Sequence, residues 1–570
     1  MTPDAASPGE VCPTGIAGVD YILRGGLPHN CLYLIQGDPG SGKTTLALQF
    51  LLEGVRRGER VFYITLSETK SELERVARSH EWSLESIPML ELSAVDSLLH
   101  PESQTTVFRA SEVELSAVTR LLLNETRKHQ PARVVFDSLS EFRLMSESPL
   151  RYRRQVLSLK QELARQGSTA LLLDDKMGSG YGSSDPHVLS LTHGVIELEQ
   201  LAPEYGKSRR RLKVLKMRSV DFREGYHDYI IQKGGLRVFP RLVAAEHHAG
   251  FPRESLPSGI KELDDLLGGG LDRGTTTLVI GQAGTGKSTL AIEYATQVAA
   301  RGEQAAVFSF DETIGTALER AGKLGLQYPK YVQSGAITLQ QVDPAEISPG
   351  EFADRIYRSV ASGAKLVVID TLNGYLNAMP GEKYLNNQLH ELSTYLNQNG
   401  IVTIFVLTQH GLLSAAEAPV DVSYLADTVI SLRFFEAGGS IRTALSITKK
   451  RSGHHERTIR EFLLQAGHGI RIGAPLHEFQ HVLSGIPVFR GARPADDAAS
   501  QCDMTGTPSE SSSSPRRDAT PPPLPVCSRR RATPRACALE RPRRPRKPPW
   551  VRGPWCSRRR PSIASTSRVS

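Results

Sequence analysis

The chain has 570 residues, enough for two large domains with extensions, and 39% of them are hydrophobic. No apolar run reaches the roughly 18 residues of a membrane span, and the N-terminus lacks the pattern of a secretory signal, so we expect a cytoplasmic protein with no membrane partner. The formal net charge of +8, taken alone, suggests a nucleic-acid partner.

The positive charge is concentrated at the end of the chain. Residues 491–570 hold 17 of the 69 lysines and arginines and six of the 61 aspartates and glutamates, which leaves 52 basic and 55 acidic side chains in residues 1–490. The same segment holds 14 of the 35 prolines and few large aliphatic residues. Because such a segment cannot bury enough apolar area to offset its chain entropy, we predict a disordered Arg/Pro-rich tail at 491–570.

The tail leaves two interpretations open. Its arginine-rich runs at 541–547 and 558–560, together with Trp550 and Trp555, could bind nucleic acid weakly and without sequence preference. Alternatively, the tail is an extension without function, such as one produced by a shift of reading frame. The slightly acidic body argues against nucleic-acid binding elsewhere, because such proteins usually carry a basic path.

The body of the chain is a tandem repeat with a constant spacing of 244 residues. The recurring segments are PTGI at 13–16 and PSGI at 257–260, GGL at 25–27 and 269–271, GDPGSGKT at 37–44 and GQAGTGKS at 281–288, and ET at 68–69 and 312–313. We therefore predict a flexible N-terminus at 1–11, a first domain at 12–245 and a second, homologous domain at 246–490.

Short apolar runs alternate with amphipathic stretches in both halves. The predicted elements of the first half are strands at 32–36, 61–65, 133–136 and 169–173, with helices at 45–56 and 71–79. The predicted strands of the second half lie at 277–280, 306–310, 366–369 and 402–407. Strands that alternate with helices favour an α/β fold with a mostly parallel central sheet in each domain.

Two segments fit G-x-x-x-x-G-K-[ST], and each follows a predicted strand and opens a helix, as a phosphate-binding loop requires. Backbone N–H groups of the loop would wrap a phosphate, Lys43 or Lys287 would reach the terminal phosphates, and the hydroxyl of Thr44 or Ser288 would ligate Mg²⁺. The predicted ATP-binding residues are Gly37, Gly40, Ser41, Gly42, Lys43, Thr44 and Thr45 in the first half, and Gly281, Gly284, Thr285, Gly286, Lys287, Ser288 and Thr289 in the second.

An aspartate ends one later apolar strand in each half. Asp137 and Asp370 would therefore lie at the carboxyl edge of the sheet, where ligands bind in α/β folds, and would help to hold Mg²⁺. The alternative is that each aspartate caps the following helix.

Hydrolysis also needs a group that orients water toward the terminal phosphate. The strand after the phosphate loop ends in Ser67-Glu68 in the first half and in Asp311-Glu312 in the second. Their carboxylates could polarise water, or the glutamates could cap the next helix. Because the second half has two acids and the first has one, we predict the second half to be the more competent catalyst.

The order of these features resembles the KaiC family of RecA-like ATPases over residues 12–490. In each half a G-I segment and a G-G-L turn precede the phosphate loop, the acids and a strand ending in D-[ST], and a basic strand follows late. The resemblance implies two tandem RecA-like P-loop NTPase domains that stack as rings, usually hexameric, with ATP and Mg²⁺ between neighbouring subunits. It also implies a signalling role and a regulatory protein partner.

The resemblance carries further residues by motif. Lys216 and Arg218 match the family's late K-x-R, and Lys449 and Arg451 match it in the second half. In the family this basic pair reaches the nucleotide of the next subunit, where it would stabilise charge on the transferring phosphoryl group. Without the resemblance, these residues would be a solvated basic face of a strand.

The chain departs from the family pattern at two positions. Ser67 stands where the family has a glutamate, which puts hydrolysis by the first half in doubt or leaves it to Glu68. Ser423 matches a serine that the family phosphorylates, but Tyr424 replaces the adjacent threonine, so Ser423 is a candidate for single-site autophosphorylation or an ordinary helix start. Other function classes stay open: a RecA-like recombination, repair or translocase ATPase, and a ring scaffold that binds ATP and barely hydrolyses it.

Overall fold

The computed structural model describes residues 11–92, 110–146, 148–176, 186–202, 206–377, 385–409, 423–480, 482 and 488–489. These residues all belong to one compact unit that covers residues 1–495. The predicted tail at 491–570 and nearly all of the predicted flexible N-terminus lie outside the described residues. No helix within the described ranges is both long and apolar enough to cross a membrane.

The first half is built on one nine-stranded sheet. Its strands are β1 (Leu32–Gly37), β2 (Val61–Thr65), β3 (Met89–Glu91), β4 (Arg133–Asp137), β5 (Thr169–Asp175), β6 (Gly194–Leu201), β7 (Arg209–Met217), β8 (His227–Gln232) and β9 (Gly235–Phe239). Its helices are α1 (Ala17–Ile22), α2 (Lys43–Arg56), α3 (Lys70–Ser79), α4 (Ala110–His129), α5 (Leu139–Leu144), α6 (Pro149–Gln166) and α7 (Pro186–Leu191).

The second half repeats this plan with another nine-stranded sheet. Its strands are β10 (Thr276–Gly281), β11 (Gln304–Ser309), β12 (Ile337–Gln341), β13 (Ala364–Asp370), β14 (Val402–Thr408), β15 (Thr428–Ala437), β16 (Ser440–Lys450), β17 (Arg460–Gln465) and β18 (Gly469–Pro475). Its helices are α8 (Lys261–Leu267), α9 (Lys287–Ala300), α10 (Ile314–Lys323), α11 (Tyr328–Gln333), α12 (Pro349–Ala361), α13 (Leu372–Asn377) and α14 (Leu385–Gln398).

The two sheets share one topology. The strand order is β9-β8-β7-β6-β1-β5-β4-β2-β3 in the first half, and β18-β17-β16-β15-β10-β14-β13-β11-β12 in the second. In each sheet the six strands from β3 to β6, or from β12 to β15, run parallel in their spatial order. The remaining three pairings, from β6 to β9 or from β15 to β18, are antiparallel. This mostly parallel α/β architecture in two tandem domains confirms the predicted fold class.

Apolar side chains cover both faces of each sheet, as parallel strands require. Along β4, Val135 belongs to one core cluster, while Val134 and Phe136 belong to the cluster on the other face. Along β13, Val368 and its neighbour Ile369 divide in the same way. This division follows because alternate residues of a strand point to opposite faces of the sheet. Asp137 and Asp370 end these apolar strands and therefore lie at the carboxyl ends of the parallel strands.

Several polar contacts join the halves, and two of them connect the antiparallel end of the first sheet to α12. The N–H of Gly350, in the first turn of α12, donates to Oδ2 of Asp228 on β8 over 2.7 Å. Nη2 of Arg237 on β9 donates to Oδ2 of Asp354 over 2.9 Å. The antiparallel end of the first sheet therefore contacts the helix that leads into β13, the strand that carries Asp370.

Candidate nucleotide sites

Each phosphate loop runs from the C-terminal end of the central strand, β1 or β10, to the N-terminus of α2 or α9. The last loop residues, Gly42 and Gly286, have φ angles of 93° and 94°, in the left-handed region that favours glycine. A Cβ at Gly42 would lie 2.7 Å from Cδ1 of Ile231, and one at Gly286 would lie 2.7 Å from Cε1 of Phe462. Conformation and space therefore both require glycine where each loop enters its helix.

The loop hydroxyl contacts the strand-end aspartate in both halves. Oγ1 of Thr44 donates to Oδ2 of Asp137 over 3.1 Å, and Oγ of Ser288 donates to Oδ1 of Asp370 over 3.0 Å. Burial raises the pKa of Asp370 to about 6 and also raises that of Asp137. These four residues lie together, as the sequence predicts.

This hydroxyl–carboxylate pair fits Mg²⁺ bound together with a nucleotide. Among the described residues, no group of three or more His, Cys, Asp or Glu side chains could hold a metal ion. Mg²⁺ in nucleotide sites is usually held by one or two protein groups, with phosphates and waters completing its shell. The residues present are therefore sufficient for Mg·ATP and unsuited to a dedicated protein cage.

The two loop lysines have different surroundings. Nζ of Lys43 donates to the carbonyls of Gly37 and Asp38 over 3.0 Å each and forms an ion pair with Oδ1 of Asp175 at 2.8 Å. Nζ of Lys287 donates to the carbonyl of Gln282 over 2.7 Å. Burial lowers the pKa of Lys287 to about 8. Only the first-half lysine has a carboxylate within ion-pairing distance among the residues that the structure describes.

Sequence reasoning missed Asp175. It ends β5, which pairs with β1 so that Asp175 lies opposite Gly37. The matching position of the second half is Thr408, which lies opposite Gly281. The signal in the sequence is the pair Asp174-Asp175, which ends the fourth apolar run of the first half. The corresponding run of the second half ends in Leu407-Thr408.

The acid of the first half is partly buried and lacks a partner. Ser67 is exposed, whereas Glu68 is half-buried and its Oε2 has no hydrogen-bond partner among the described residues. Burial, and then the nearby charge of Asp137, raise the pKa of Glu68 to about 7. A carboxyl group with a pKa near neutrality suits proton transfer at neutral pH.

The acids of the second half both have partners. Arg320 on α10 binds Glu312 with both guanidinium arms, Nε to Oε1 at 3.1 Å and Nη2 to Oε2 at 2.7 Å. Its Nη1 donates to Oγ1 of Thr289 over 2.6 Å. Asp311 is exposed and accepts a hydrogen bond from Oγ1 of Thr371 over 2.5 Å. Sequence reasoning missed Arg320 as well.

The helix-capping alternative is wrong for three of these acids. The N-cap of α3 is Thr69, which forms a capping box with Glu72, and the N-cap of α10 is Thr313. The N-cap of α5 is Ser138, the residue after Asp137. None of Glu68, Glu312 and Asp137 is therefore the N-cap of the helix that follows it.

The acids and the phosphate loop of the second half enclose a cavity of about 460 Å³. This volume lies within the range of small-molecule sites. The cavity is lined by Lys287, Ser288, Asp311, Glu312, Arg320 and Asp370, among others.

Lys216 and Arg218 lie at the amino ends of the parallel strands, whereas the phosphate loop of the same half lies at their carboxyl ends. Gly37 lies opposite Leu198, whereas Met217, next to Lys216, lies opposite Gly194 at the other end of β6. Nζ of Lys216 donates to the carbonyls of Leu189 and Thr192.

The second half shows the same placement. Lys449 lies opposite Val429, near the start of β15, and Arg451 follows the end of β16. Nη1 of Arg451 lies 3.5 Å from Oδ1 of Asp427. The structure therefore does not bring the late basic residues to the nucleotide site of their own chain.

Ser423 begins a single 3₁₀ turn, Ser423–Leu425. Tyr424 is half exposed in that turn. The segment just before it, 410–422, lies outside the described residues.

Comparison with known proteins assigns the family. The family model described as "ATPase: KaiC" matches residues 12–243 and again residues 256–477. The chain belongs to the KaiC ATPase family. This assignment confirms the resemblance seen in the sequence, and it supports a regulatory ATPase with P-loop nucleotide sites.

The curated relatives cover most of both chains. "Circadian clock protein KaiC3" of Synechocystis sp. is 29% identical over 489 residues, 84% of this chain and 95% of the relative. "Circadian clock oscillator protein KaiC" of Acaryochloris marina is 26% identical over 483 residues, 83% of this chain and 90% of the relative. The protein of the same name from Synechococcus elongatus is 26% identical over 481 residues. Tandem KaiC domains thus extend over the whole repeat.

Proposed function

We propose that the chain is a KaiC-type signalling ATPase that binds Mg·ATP at both phosphate loops and hydrolyses it. The observation that carries this proposal is the repeated contact between a loop hydroxyl and a strand-end aspartate, 3.1 Å apart in the first half and 3.0 Å in the second. Two copies of one nucleotide geometry, each beside a carboxylate, are what hydrolysis at two sites requires.

The residues of each half divide the work of phosphoryl transfer. The glycine-rich loop and its lysine bind and orient the phosphates. Thr44 with Asp137, and Ser288 with Asp370, would hold Mg²⁺, which would supply positive charge beside the phosphates. A carboxylate after β2 or β11 orients the attacking water and accepts its proton.

We further propose that the chain forms a homo-oligomeric ring, hexameric by analogy with the family, with ATP at the subunit interfaces. The position of Lys216, Arg218, Lys449 and Arg451 supports this, because they lie away from the phosphate loops of their own chain. In a ring, the basic edge of one subunit would face the nucleotide of the next and stabilise the developing phosphate charge. A regulatory protein partner would read the nucleotide state of the ring.

The test is ATP turnover by the purified chain, measured together with oligomer size and intact mass. We expect Mg²⁺-dependent release of inorganic phosphate from a ring-sized particle, with loss of turnover in the double variant Arg218→Ala/Arg451→Ala while nucleotide binding persists. Absence of turnover in the intact oligomer would contradict the ATPase proposal. Turnover by a monomer that is insensitive to the combined Arg218→Ala and Arg451→Ala substitutions would contradict the shared sites.

Autophosphorylation at Ser423 is the finer part of the proposal. Ser423 begins a 3₁₀ turn whose next residue, Tyr424, is half exposed, which supports the proposal. Intact-mass spectrometry after incubation with ATP should show one added phosphate per chain, and Ser423→Ala should remove it. An unchanged mass in the unmodified chain would end the kinase proposal and leave the ATPase proposal standing.

A further inference from the structure

Arg320 connects two parts of the second nucleotide site. Its guanidinium holds both oxygens of Glu312 and also reaches Thr289, the residue that follows the loop hydroxyl. Arg320 and Glu312 are each about one-quarter exposed, so water screens this two-armed pair less than a surface pair. Both oxygens of Glu312 are therefore held in place by Arg320.

The first half keeps the glutamate, as Glu68, but lacks counterparts of Arg320 and Asp311. At the spacing of 244 residues, Val76 takes the place of Arg320, and Ser67 takes the place of Asp311. Val76 packs against the core of the first half. Glu68 consequently has no guanidinium partner, and its Oε2 has no hydrogen-bond partner among the described residues.

The two differences compensate for each other. Where the arginine is present, a second acid, Asp311, precedes the paired glutamate; where the arginine is absent, a serine precedes an unpaired glutamate. Directly after β2 or β11, each half thus has one carboxylate that no arginine or lysine holds among the described contacts: Glu68 in the first half and Asp311 in the second.

We propose that Arg320 is a positioning residue that withdraws Glu312 from proton transfer and leaves Asp311 as the catalytic carboxylate of the second half, whereas the first half uses Glu68. This inference rests on the proposed ATP hydrolysis. It also assigns Glu312, which the sequence groups with the catalytic acids, the role of a counter-ion.

The chemical step is the same in both halves. The oxygen of water forms a bond to the γ-phosphorus, the bond from that phosphorus to the β–γ bridging oxygen breaks, and the proton of the water passes to the carboxylate. A carboxylate with both oxygens bound to a guanidinium is a weak proton acceptor, because protonation would forfeit two charge-assisted hydrogen bonds. Asp311 gives up only one neutral hydrogen bond, from Thr371.

The second half is tested in a Lys43→Ala background, which silences the first site. We expect Asp311→Asn to lower turnover about 100-fold, as loss of a general base does, and Glu312→Gln to lower it no more than about threefold, since it removes only an ion pair. In Arg320→Val, the freed Glu312 should become able to accept the proton. Adding Asp311→Asn to this variant should therefore lower turnover by much less than 100-fold. Arg320→Lys should restore the dependence on Asp311.

The first half offers the reciprocal test in a Lys287→Ala background. Val76→Arg places a guanidinium at the position of Arg320, and we expect turnover to fall about tenfold while its pH midpoint moves below the value near 7 set by Glu68. Val76→Met is the matched control, because it lengthens the side chain without charge and should leave the pH profile unchanged. The ionisable groups that set the pKa of Glu68 are Asp137, Glu72, Lys43 and Asp175.

Thermal melting and binding of a fluorescent ATP analogue identify variants that fail to fold. The inference is overturned, although hydrolysis stands, if Glu312→Gln lowers turnover as much as Asp311→Asn in Lys43→Ala protein and Arg320→Val does not change the ratio of these two effects. If neither silenced background hydrolyses ATP while the unmodified ring is also inactive, the proposed function fails instead.

Discussion

The two nucleotide sites share their loops and differ in the charges around them. In the first site, Asp175 pairs with the loop lysine and Glu68 is unpaired; in the second, no carboxylate pairs with Lys287 among the described contacts and Arg320 holds the glutamate. The two halves thus share the backbone of the phosphate loop and differ in the charged side chains around that loop. The comparison teaches that one fold can provide two phosphate loops with different electrostatic surroundings, and we expect these to differ in affinity and pH response.

The largest expected effect comes from the loop lysines. Combining Lys43→Ala with Lys287→Ala should lower turnover at least about 1000-fold, because both terminal phosphates lose their main cation. Each single variant isolates one half, and phosphate release then gives the two turnover numbers separately. The prediction that the second half is the stronger catalyst fails if Lys287→Ala retains most of the activity.

The next effect is the pH response of the first site. Its turnover, measured in Lys287→Ala, should fall about tenfold between pH 8 and pH 6, because a base with a pKa of about 7 becomes protonated as the pH decreases. Glu68→Gln should abolish this response together with the activity. A profile that stays flat across that interval would remove Glu68 from the role of base.

A smaller effect follows from Asp175. Replacing it with the residue of the second half, Asp175→Thr, should raise the ATP affinity of the first site about fivefold, because Lys43 is freed and a charge that repels phosphate is removed. Titration of a fluorescent ATP analogue in Lys287→Ala protein measures this. Asp265→Asn, an exposed carboxylate of the second half, is the control and should leave the affinity unchanged.

The smallest effect concerns the tail. Truncation after Arg490 should change turnover by less than about 1.5-fold, because both phosphate sites are assembled from residues before 476. A DNA-binding measurement at low and high salt, on the full and truncated chains, distinguishes the two interpretations of the tail. Tight binding by the truncated chain would instead favour a DNA-acting ATPase.

The sequence predicted the parts of the fold that local patterns encode. The apolar runs at 61–65 and 133–136 became β2 and β4 to within one residue, because buried parallel strands must be apolar on both faces. The antiparallel strands were largely missed. β7, with the sequence RRRLKVLKM, mixes charged and apolar residues because several of its positions face solvent or ion-pairing neighbours.

The same division applies to the sites. Gly42, Lys43 and Thr44 are neighbours in the chain, so their motif is visible without a structure. The pairs Lys43–Asp175 and Glu312–Arg320 depend on how strands and helices pack. A charged residue after an apolar run or on a helix face has many possible partners, and only the fold selects one.

The placement of the late basic residues also constrains symmetry. If one edge of the subunit supplies phosphate loops and the opposite edge supplies the cations that complete them, the surfaces that meet are different from each other. Such a head-to-tail contact cannot be satisfied by a two-fold dimer, in which identical surfaces meet. It closes only as a cyclic ring or continues as a helical filament. A chain with an intact loop edge and an altered basic edge would therefore impair its neighbour's site while its own site stays complete, a directional defect that mixed rings would reveal.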